Sequence, residues 1–312
     1  MTAVVRPPRS LAPRAWIVLI LLVAAALRLA ALGDAPPGMT HDEADHGLTA
    51  WSIVNGARAL YFPIGYGREP LYDYATAVVM RATGPTLLAA RLTAVYFGLL
   101  LIAATYAWAR RAFGAPVALL TAAGLAAGFW PLMTARQALR SIALPALFAL
   151  AVAVFWRAMA ARRPALLLFA LAGGLLGLTF YTYIPARVMW LALPLLAVYE
   201  WLRRRRAGRT WRGPLLTLLV AAAVAAPLLL YLAAHPQLEV RVGELSAPLR
   251  AAAGGDFGPL LANATASLRL FTIEGDQTWR YNLPGRPFLP GPLGWLFYAG
   301  LLLAGWLAVA GL

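Results

Sequence analysis

The sequence predicts an all-α protein: a polytopic membrane bundle of about eight helical spans with a helical first outer loop. Three observations predict it. Of its 312 residues, 62% are hydrophobic and only 12% charged, against about 45–50% and 25% in a soluble domain. Apolar segments of about 20 residues, enough to cross a hydrocarbon layer of about 30 Å, recur along the chain. The connections between them alternate between strongly cationic and mixed in charge. With no Cys, disulfides, thiolate metal sites and Cys nucleophiles are excluded.

The spans read as Ala15–Leu32, Leu87–Ala109, Ala115–Thr134, Ser141–Ala161, Pro164–Tyr183, Val188–Leu202, Gly213–Ala234 and Gly291–Leu312. The sixth is short and carries Glu200. The first reads as an uncleaved span and not a signal peptide, because its apolar stretch exceeds an h-region of about 7–15 residues and Arg28 interrupts it. With Arg6, Arg9 and Arg14 in the cytoplasm, the connections Arg110–Arg111, Arg157–Arg163 and Arg203–Arg212 also fall inside, as the positive-inside rule requires. All 27 basic residues are Arg. The inner side then holds 14 of them against the single acid Glu200, and the outer side 13 against 11 acids. The net charge of +15 is therefore a topological signal at a cytoplasmic membrane, and nucleic acid is not an expected partner.

Two connections are too long for plain turns: a first outer loop at 33–86 and a second at 235–290. Residues 1–312 read as one transmembrane domain. The chain stops within an apolar run without a basic flank, so it is expected to be truncated at its C-terminus.

The first outer loop concentrates polar chemistry in Thr40-His41-Asp42-Glu43-Ala44-Asp45-His46. Thr40 followed by Glu43 is a capping box that starts a helix, so Glu43 is either a capping residue or a second catalytic carboxylate beside Asp42. Asp42, in the first helical turn, is free of the cap. It shares a helix face with His46 at i,i+4, and the helix dipole favours its ionised form, suited to a general base or metal ligand. His41 and His46 lie near several acids, but their spacing fits no closed zinc pattern; they read as metal ligands or as polar support. Further on, Gly65 to Tyr74 brings Arg68, Glu69 and Asp73 beside Tyr66, Tyr72 and Tyr74, ahead of an amphipathic stretch that reads as an interfacial helix.

Arg136, Arg140 and Arg187, the last following Tyr181-Thr182-Tyr183-Ile184-Pro185, sit at outer ends of spans, where the positive-inside rule does not account for them. Arg is costly at membrane depth and well shaped to grip phosphate oxygens. These side chains either bind an anionic ligand at the outer leaflet or snorkel and pair with the loop acids. There is no P-loop and no dinucleotide-binding fingerprint, so an activated substrate would arrive on lipid phosphate.

Taken in order, the outer-loop Asp42-Glu43, the Arg68 to Tyr72 corner, Arg91-Leu92 in the next span, Ala135–Pro145, Thr179–Arg187 and Asn282-Leu283-Pro284-Gly285-Arg286-Pro287 resemble the GT-C superfamily of membrane glycosyltransferases. The likeness is to bacterial relatives of the protein O-mannosyltransferases, glycosyltransferase family 39, and to lipid A aminoarabinose transferases. The resemblance implies an inverting transfer of a hexose or pentose from a polyprenyl-phosphate donor to a hydroxyl of a lipid, glycan or protein. It makes Asp42, with Glu43, the catalytic acids. Arg68, Arg136, Arg140 and Arg187 would hold donor phosphate, and His46, Tyr72, Tyr181, Tyr183 and Asn282 would line the substrate. In the aminoarabinose branch an acid beside a Pro serves a divalent metal, which maps onto Glu69; a metal cofactor is otherwise not fixed. One departure is that Arg140-Ser141 stands where many relatives carry an acid, which points Arg140 to phosphate and away from a two-acid metal site. A transporter or lipid flippase is the alternative reading, but such proteins place ionisable groups along a midplane pathway, whereas here the acids gather in a loop. A third reading is a non-catalytic membrane subunit.

Overall fold

The structure, a computed structural model, describes residues 12–161, 165–203, 211–279 and 281–310. Arg6, Arg9, Arg162, Arg163, Arg204–Arg206 and Arg209 of the cationic connections lie outside the described residues. Among the described residues the fold is helical, with one isolated antiparallel bridge, Phe62 to Arg68.

Helix α1 (Ala12–Leu29) leads into the first long connection, which folds as α2 (His41–Val54) and α3 (Leu71–Thr83). Then follow α4 (Leu87–Phe113), α5 (Ala115–Ala127), α6 (Phe129–Thr134), a 3₁₀ turn at Arg140–Ile142 and α7 (Ala143–Ala160). After these come α8 (Leu166–Thr179), α9 (Ala186–Met189), α10 (Ala192–Arg203) and α11 (Arg212–Ala234). The second long connection holds α12 (Val240–Leu245), α13 (Ala247–Ala253) and α14 (Gly258–Thr272), and α15 (Pro292–Ala310) ends the described chain.

All eight predicted spans contain helix, but among the described residues four helical stretches are long and apolar enough to cross a membrane: Leu87–Phe113, Arg140–Ala160, Arg212–Ala234 and Pro292–Ala310. The third predicted span departs most, because it breaks into α5 and α6 at Gly128, whose backbone is extended (φ −60°, ψ 139°). Pro131, which has no N–H, is accommodated in the first turn of the new helix, where none is needed. The broken end exposes carbonyls in an apolar layer, and such groups need partners. Arg28 on α1 supplies them, donating to the carbonyls of Ala126 at 3.0 Å and Leu125 at 2.9 Å. The arrangement is reciprocal, since Arg136 after α6 caps the end of α1 through the carbonyls of Leu27, Ala30 and Ala35, each at 2.7 Å.

The bundle is a continuous series of packed neighbours, α1 on α5 and α4, α4 on α7, α7 on α8, and α8 on α11. Association between apolar helices in lipid lacks a hydrophobic drive and rests on close approach of small residues. Ala24, Ala118, Ala122 and Ala126 serve this where α1, α4 and α5 meet. Between α8 and α11 the contact is glycine-made. A Cβ on Gly177 would lie 2.6 Å from Val224 Cβ and 2.7 Å from the Ala221 carbonyl, and one on Gly173 would collide with the Thr217 carbonyl. Thr217 Oγ1 donates back to Phe169 O at 3.0 Å. At one end of this series α3 packs on α4 and α2 on α3, with Ala50, Ile53, Ala77, Met80 and Ala90 between them. That end, the loop end, carries both long connections.

Gly177→Leu is expected to lower the melting temperature in detergent by forcing α8 off α11. Gly174→Ala, where an added Cβ meets nothing within 4 Å, should leave it unchanged; equal effects from both would remove the close-approach argument.

Candidate active site

The site begins with the start of α2. Thr40 caps it as the sequence pattern requires: its hydroxyl accepts from Glu43 N at 3.3 Å while Glu43 Oε2 accepts from Thr40 N at 3.0 Å. Glu43 goes beyond capping. Its Oε1 also accepts from Arg91 Nε at 3.0 Å and from Ala138 N at 3.1 Å, deep in the protein. Arg91 spends its remaining N–H groups on the carbonyls of Leu32 and Pro36 at 3.0 Å and Gly38 at 2.6 Å. Burial pushes the Glu43 carboxyl up, but the hydrogen bonds from Arg91, Thr40 and Ala138 prevail and hold it below the ordinary carboxylate value.

The next acids on α2 and α3 are also taken up inside. Asp45 Oδ2 accepts from Arg68 Nη2 at 2.9 Å. Asp73 meets His46 Nδ1 in a buried pair, with Tyr72 edge-on to the imidazole. The corner that seats Arg68 needs positive φ at Gly65 (55°), Tyr66 (63°) and Gly67 (82°). A Cβ on Gly65 would lie 2.5 Å from Arg68 Nη2 and 2.7 Å from Asp45 Oδ2, so glycine there serves both conformation and space. Asp42, by contrast, stays half-buried at the rim, and its Oδ2 accepts from the Tyr281 hydroxyl at 2.7 Å. Tyr281 comes from the second long connection, 239 residues away. Asn282 shapes that segment, donating to Asp276 O at 2.9 Å and Arg286 O at 2.8 Å. Phe288 packing on Trp130 and Arg286 over the Phe129 ring hold it against α6.

A second polar cluster lies around Tyr61. Arg140 Nη1 stands 3.2 Å from Glu69 Oε2, and its guanidinium covers the Tyr183 ring at 5.3 Å. Arg187 Nη2 stands 2.5 Å from Glu239 Oε1. Glu69 is buried, and neither of its oxygens has a well-aligned hydrogen bond. Burial raises the Glu69 carboxyl, and the Arg140 charge opposes it. Tyr61 feels all four charges; burial foremost, with Glu69 next, pushes its phenol up to about 12. The segment carrying Glu239 presses on the corner, where a Cβ on Gly67 would meet the Leu238 carbonyl at 2.7 Å.

A family model described as dolichyl-phosphate-mannose-protein mannosyltransferase matches residues 67–231, more than half of the chain. The chain belongs to that family. The fold of this mannosyltransferase-family chain is similar to the crystal structure of ArnT from Cupriavidus metallidurans bound to undecaprenyl phosphate. The TM-score is 0.54 at 18% identity, over 74% of this chain and 42% of that one. The chain thus spans about two-fifths of that structure's length. No curated protein matches. The family and the fold are those of a polytopic membrane glycosyltransferase, as the sequence resemblance implies.

Within this frame the predicted site residues divide. Asp42 lies at the rim; Glu69, Arg140, Tyr183 and Arg187 come together around Tyr61, and Tyr181 borders them with its hydroxyl on Val224 O at 2.9 Å. His46, expected at the substrate on the face it shares with Asp42, turns inward to Asp73. Tyr72 is likewise enclosed, its hydroxyl donating to Ala90 O at 3.0 Å. Glu43 is committed to the cap and to Arg91, and Arg68 to Asp45. Arg136 is corrected from a phosphate ligand to a helix cap, because each of its three nitrogens donates to backbone carbonyls. Asn282 spends its amide on its own loop. The metal suggested for Glu69 does not suit the site, because the Arg140 guanidinium beside that carboxylate repels a divalent cation. Among the described residues no three His, Asp or Glu side chains converge as a metal site. The sequence reading missed Tyr281, Tyr61 and Glu239 as members of the site; the Tyr-Asn start of the Asn282 motif was the available signal for the first.

Glu43→Gln leaves Arg91 buried against a neutral group and is expected to cost on the order of 3–5 kcal/mol, read as a lower melting temperature at pH 7. Glu43 titrates below its ordinary value of 4.5. Its contribution is therefore complete above that pH and disappears as pH falls through the folded-state value. The variant should lose less stability than the parent on acidification below pH 4.5.

Proposed function

We propose that the protein is an inverting glycosyltransferase. It moves a sugar from a polyprenyl-phosphate donor to a hydroxyl of a lipid, glycan or protein, at the outer face of the cytoplasmic membrane. The observation that carries this reading is the contrast along α2 and α3: Glu43, Asp45 and Asp73 are buried against Arg91, Arg68 and His46, whereas Asp42 is kept at the rim. A base must be reachable by the hydroxyl it deprotonates, and Asp42 is. The ArnT structure's bound undecaprenyl phosphate supports a polyprenyl donor, and the mixed charge of the loop end against the cationic opposite connections supports the outer side.

In the proposed reaction the acceptor oxygen attacks the anomeric carbon on the face opposite the phosphate as its proton passes to Asp42. The bond from carbon to phosphate oxygen breaks, and the phosphate leaves with the electron pair. Arg140 and Arg187 offset the charge that develops there, with Tyr183 stacked beneath Arg140. Tyr281 orients the Asp42 carboxylate. Glu69 and Glu239 now hold these arginines, so the donor phosphate takes the place of a carboxylate to reach them.

Asp42→Asn is expected to reduce transfer of labelled sugar from polyprenyl-phosphate sugar by roughly 10²–10⁴-fold, and unchanged transfer would sink the assignment. Glu239→Gln should tighten binding of undecaprenyl phosphate in a titration, because it removes the competitor for Arg187. Weaker binding would show that Glu239 instead builds the phosphate site.

A further inference from the structure

We propose that α14 is an interfacial anchor whose apolar face lies in the lipid leaflet at the loop end. Phe257, Leu261, Ala264, Leu268 and Phe271 recur at the spacing of one helix face. Three of them are large and open, Phe257 at 58% exposure, Leu261 at 64% and Leu268 at 59%. Asn263 and Arg269 stand on the remaining arc. No residue of α14 is buried among the described residues. A helix of 15 residues is marginal alone in water, and such helices draw their stability from a packed apolar face. The stripe therefore needs an apolar partner.

The contacts at the end of α14 identify that partner. Phe271, the last member of the stripe, stacks on Phe297 of α15 with ring centroids 4.5 Å apart. The Tyr298 hydroxyl donates to Leu268 O. Thr272 closes on Gly294, where an added Cβ would lie 2.4 Å from the Thr272 side chain. Phe288 N and Leu289 N donate to Leu270 O at 2.9 Å and Phe271 O at 3.0 Å. Helix α15 is long and apolar enough to cross a membrane, and its side chains Leu296, Leu301, Leu302 and Trp306 are open to the bilayer. Phe297 and Tyr298 lie in its second turn, roughly 8 Å from its start at a rise of about 1.5 Å per residue. That is the depth, about 5–10 Å, at which interfacial helices seat their apolar face. The stripe on α14 thus opens onto the hydrocarbon that α15 crosses.

The other end of the segment is held in the same way. Leu238, ahead of α12, packs with Leu228 and Leu232 of α11, a second helix able to cross. Helices α12 to α14 therefore run between the ends of two crossing helices, with Leu245 and Leu249 also exposed. Residues 240–272 carry three arginines and two acids, close to neutral. Insertion of apolar side chains, and not attraction to anionic headgroups, makes the contact. Glu239 precedes α12 and Tyr281 follows α14, so the leaflet tethers the connection that carries both.

Because the chain has no Cys, a single label reports from a single position. The test uses the full chain with Leu261→Cys or Leu268→Cys carrying an NBD fluorophore, reconstituted in phosphatidylcholine vesicles. Ala266→Cys, on the opposite face, is the reference. All three positions are exposed, and Phe257→Cys replaces either stripe variant should one not fold. Nitroxides on the lipid acyl chains are expected to quench both stripe labels several-fold more than the reference label, which aqueous iodide should reach. Exchanging phosphatidylcholine for phosphatidylglycerol should leave that pattern unchanged. Iodide quenching of the stripe labels places the face in water and overturns the proposal. Protection of those labels from both quenchers assigns the face to a protein partner, such as a second copy, and also overturns it. Equal lipid quenching on both faces, or lipid quenching seen only with phosphatidylglycerol, overturns insertion by the apolar face. None of these readouts depends on sugar transfer.

Discussion

The loop end of the bundle hangs on one buried ion pair, Arg91 with Glu43. Replacing such a pair by apolar groups often costs nothing, while removing one partner is severe, so its value lies in what it specifies. Arg91 is on α4; Glu43 starts α2; the carbonyls of Leu32, Pro36 and Gly38 follow α1; the Ala138 N–H precedes α7. Three stretches far apart in sequence, residues 32–43, Arg91 and Ala138, converge on two side chains. The neighbour of Glu43 is Asp42, and its position at the rim follows from where that knot holds the first turn of α2.

Arginine does a second kind of work in this chain, finishing helices that end in an apolar setting. Arg28 and Arg136 exchange caps between α1 and the break before α6. A guanidinium suits this because its planar fork presents five donors without needing an acceptor in return. The same fork makes Arg140 and Arg187 fit for phosphate, and what separates the two uses is the partner on hand. Carbonyls fully occupy Arg136, whereas the closest partners of Arg140 and Arg187 are carboxylates, which an anion can replace, with Arg140 also making long contacts to Gly67 O and lying over the Tyr183 ring.

Much of this was legible beforehand. The spacing of Thr40 and Glu43 announced the start of α2, because capping is a local requirement; the left-handed backbone at Gly65 and Gly67 was not read, although glycine there was the available signal. The break at Gly128 was missed because Ala115–Thr134 is apolar throughout; hydropathy measures solvent preference, not continuity of hydrogen bonding. The inward turn of His46 was missed because helical spacing places it one turn from Asp42 but cannot reveal that α3 brings Asp73 against it. Helices α13 and α14 were not read from the second connection, although Pro248 and Pro259 in their first turns are start signals. Tyr281 and Glu239 enter the site through long-range packing, which no local pattern encodes.

The contact between Asp42 and Tyr281 also sets an order of events during synthesis. The ribosome delivers Asp42 with the first helices and Tyr281 only 239 residues later, at a rate of about 5–20 residues per second. For some tens of seconds the nascent chain has its α2 carboxylate but lacks the phenol that will orient it. The helices from α1 to α11 precede Tyr281 in the chain, so the loop that carries it docks onto elements already made. The Asp42–Tyr281 contact of the proposed site therefore closes only after those helices have been made.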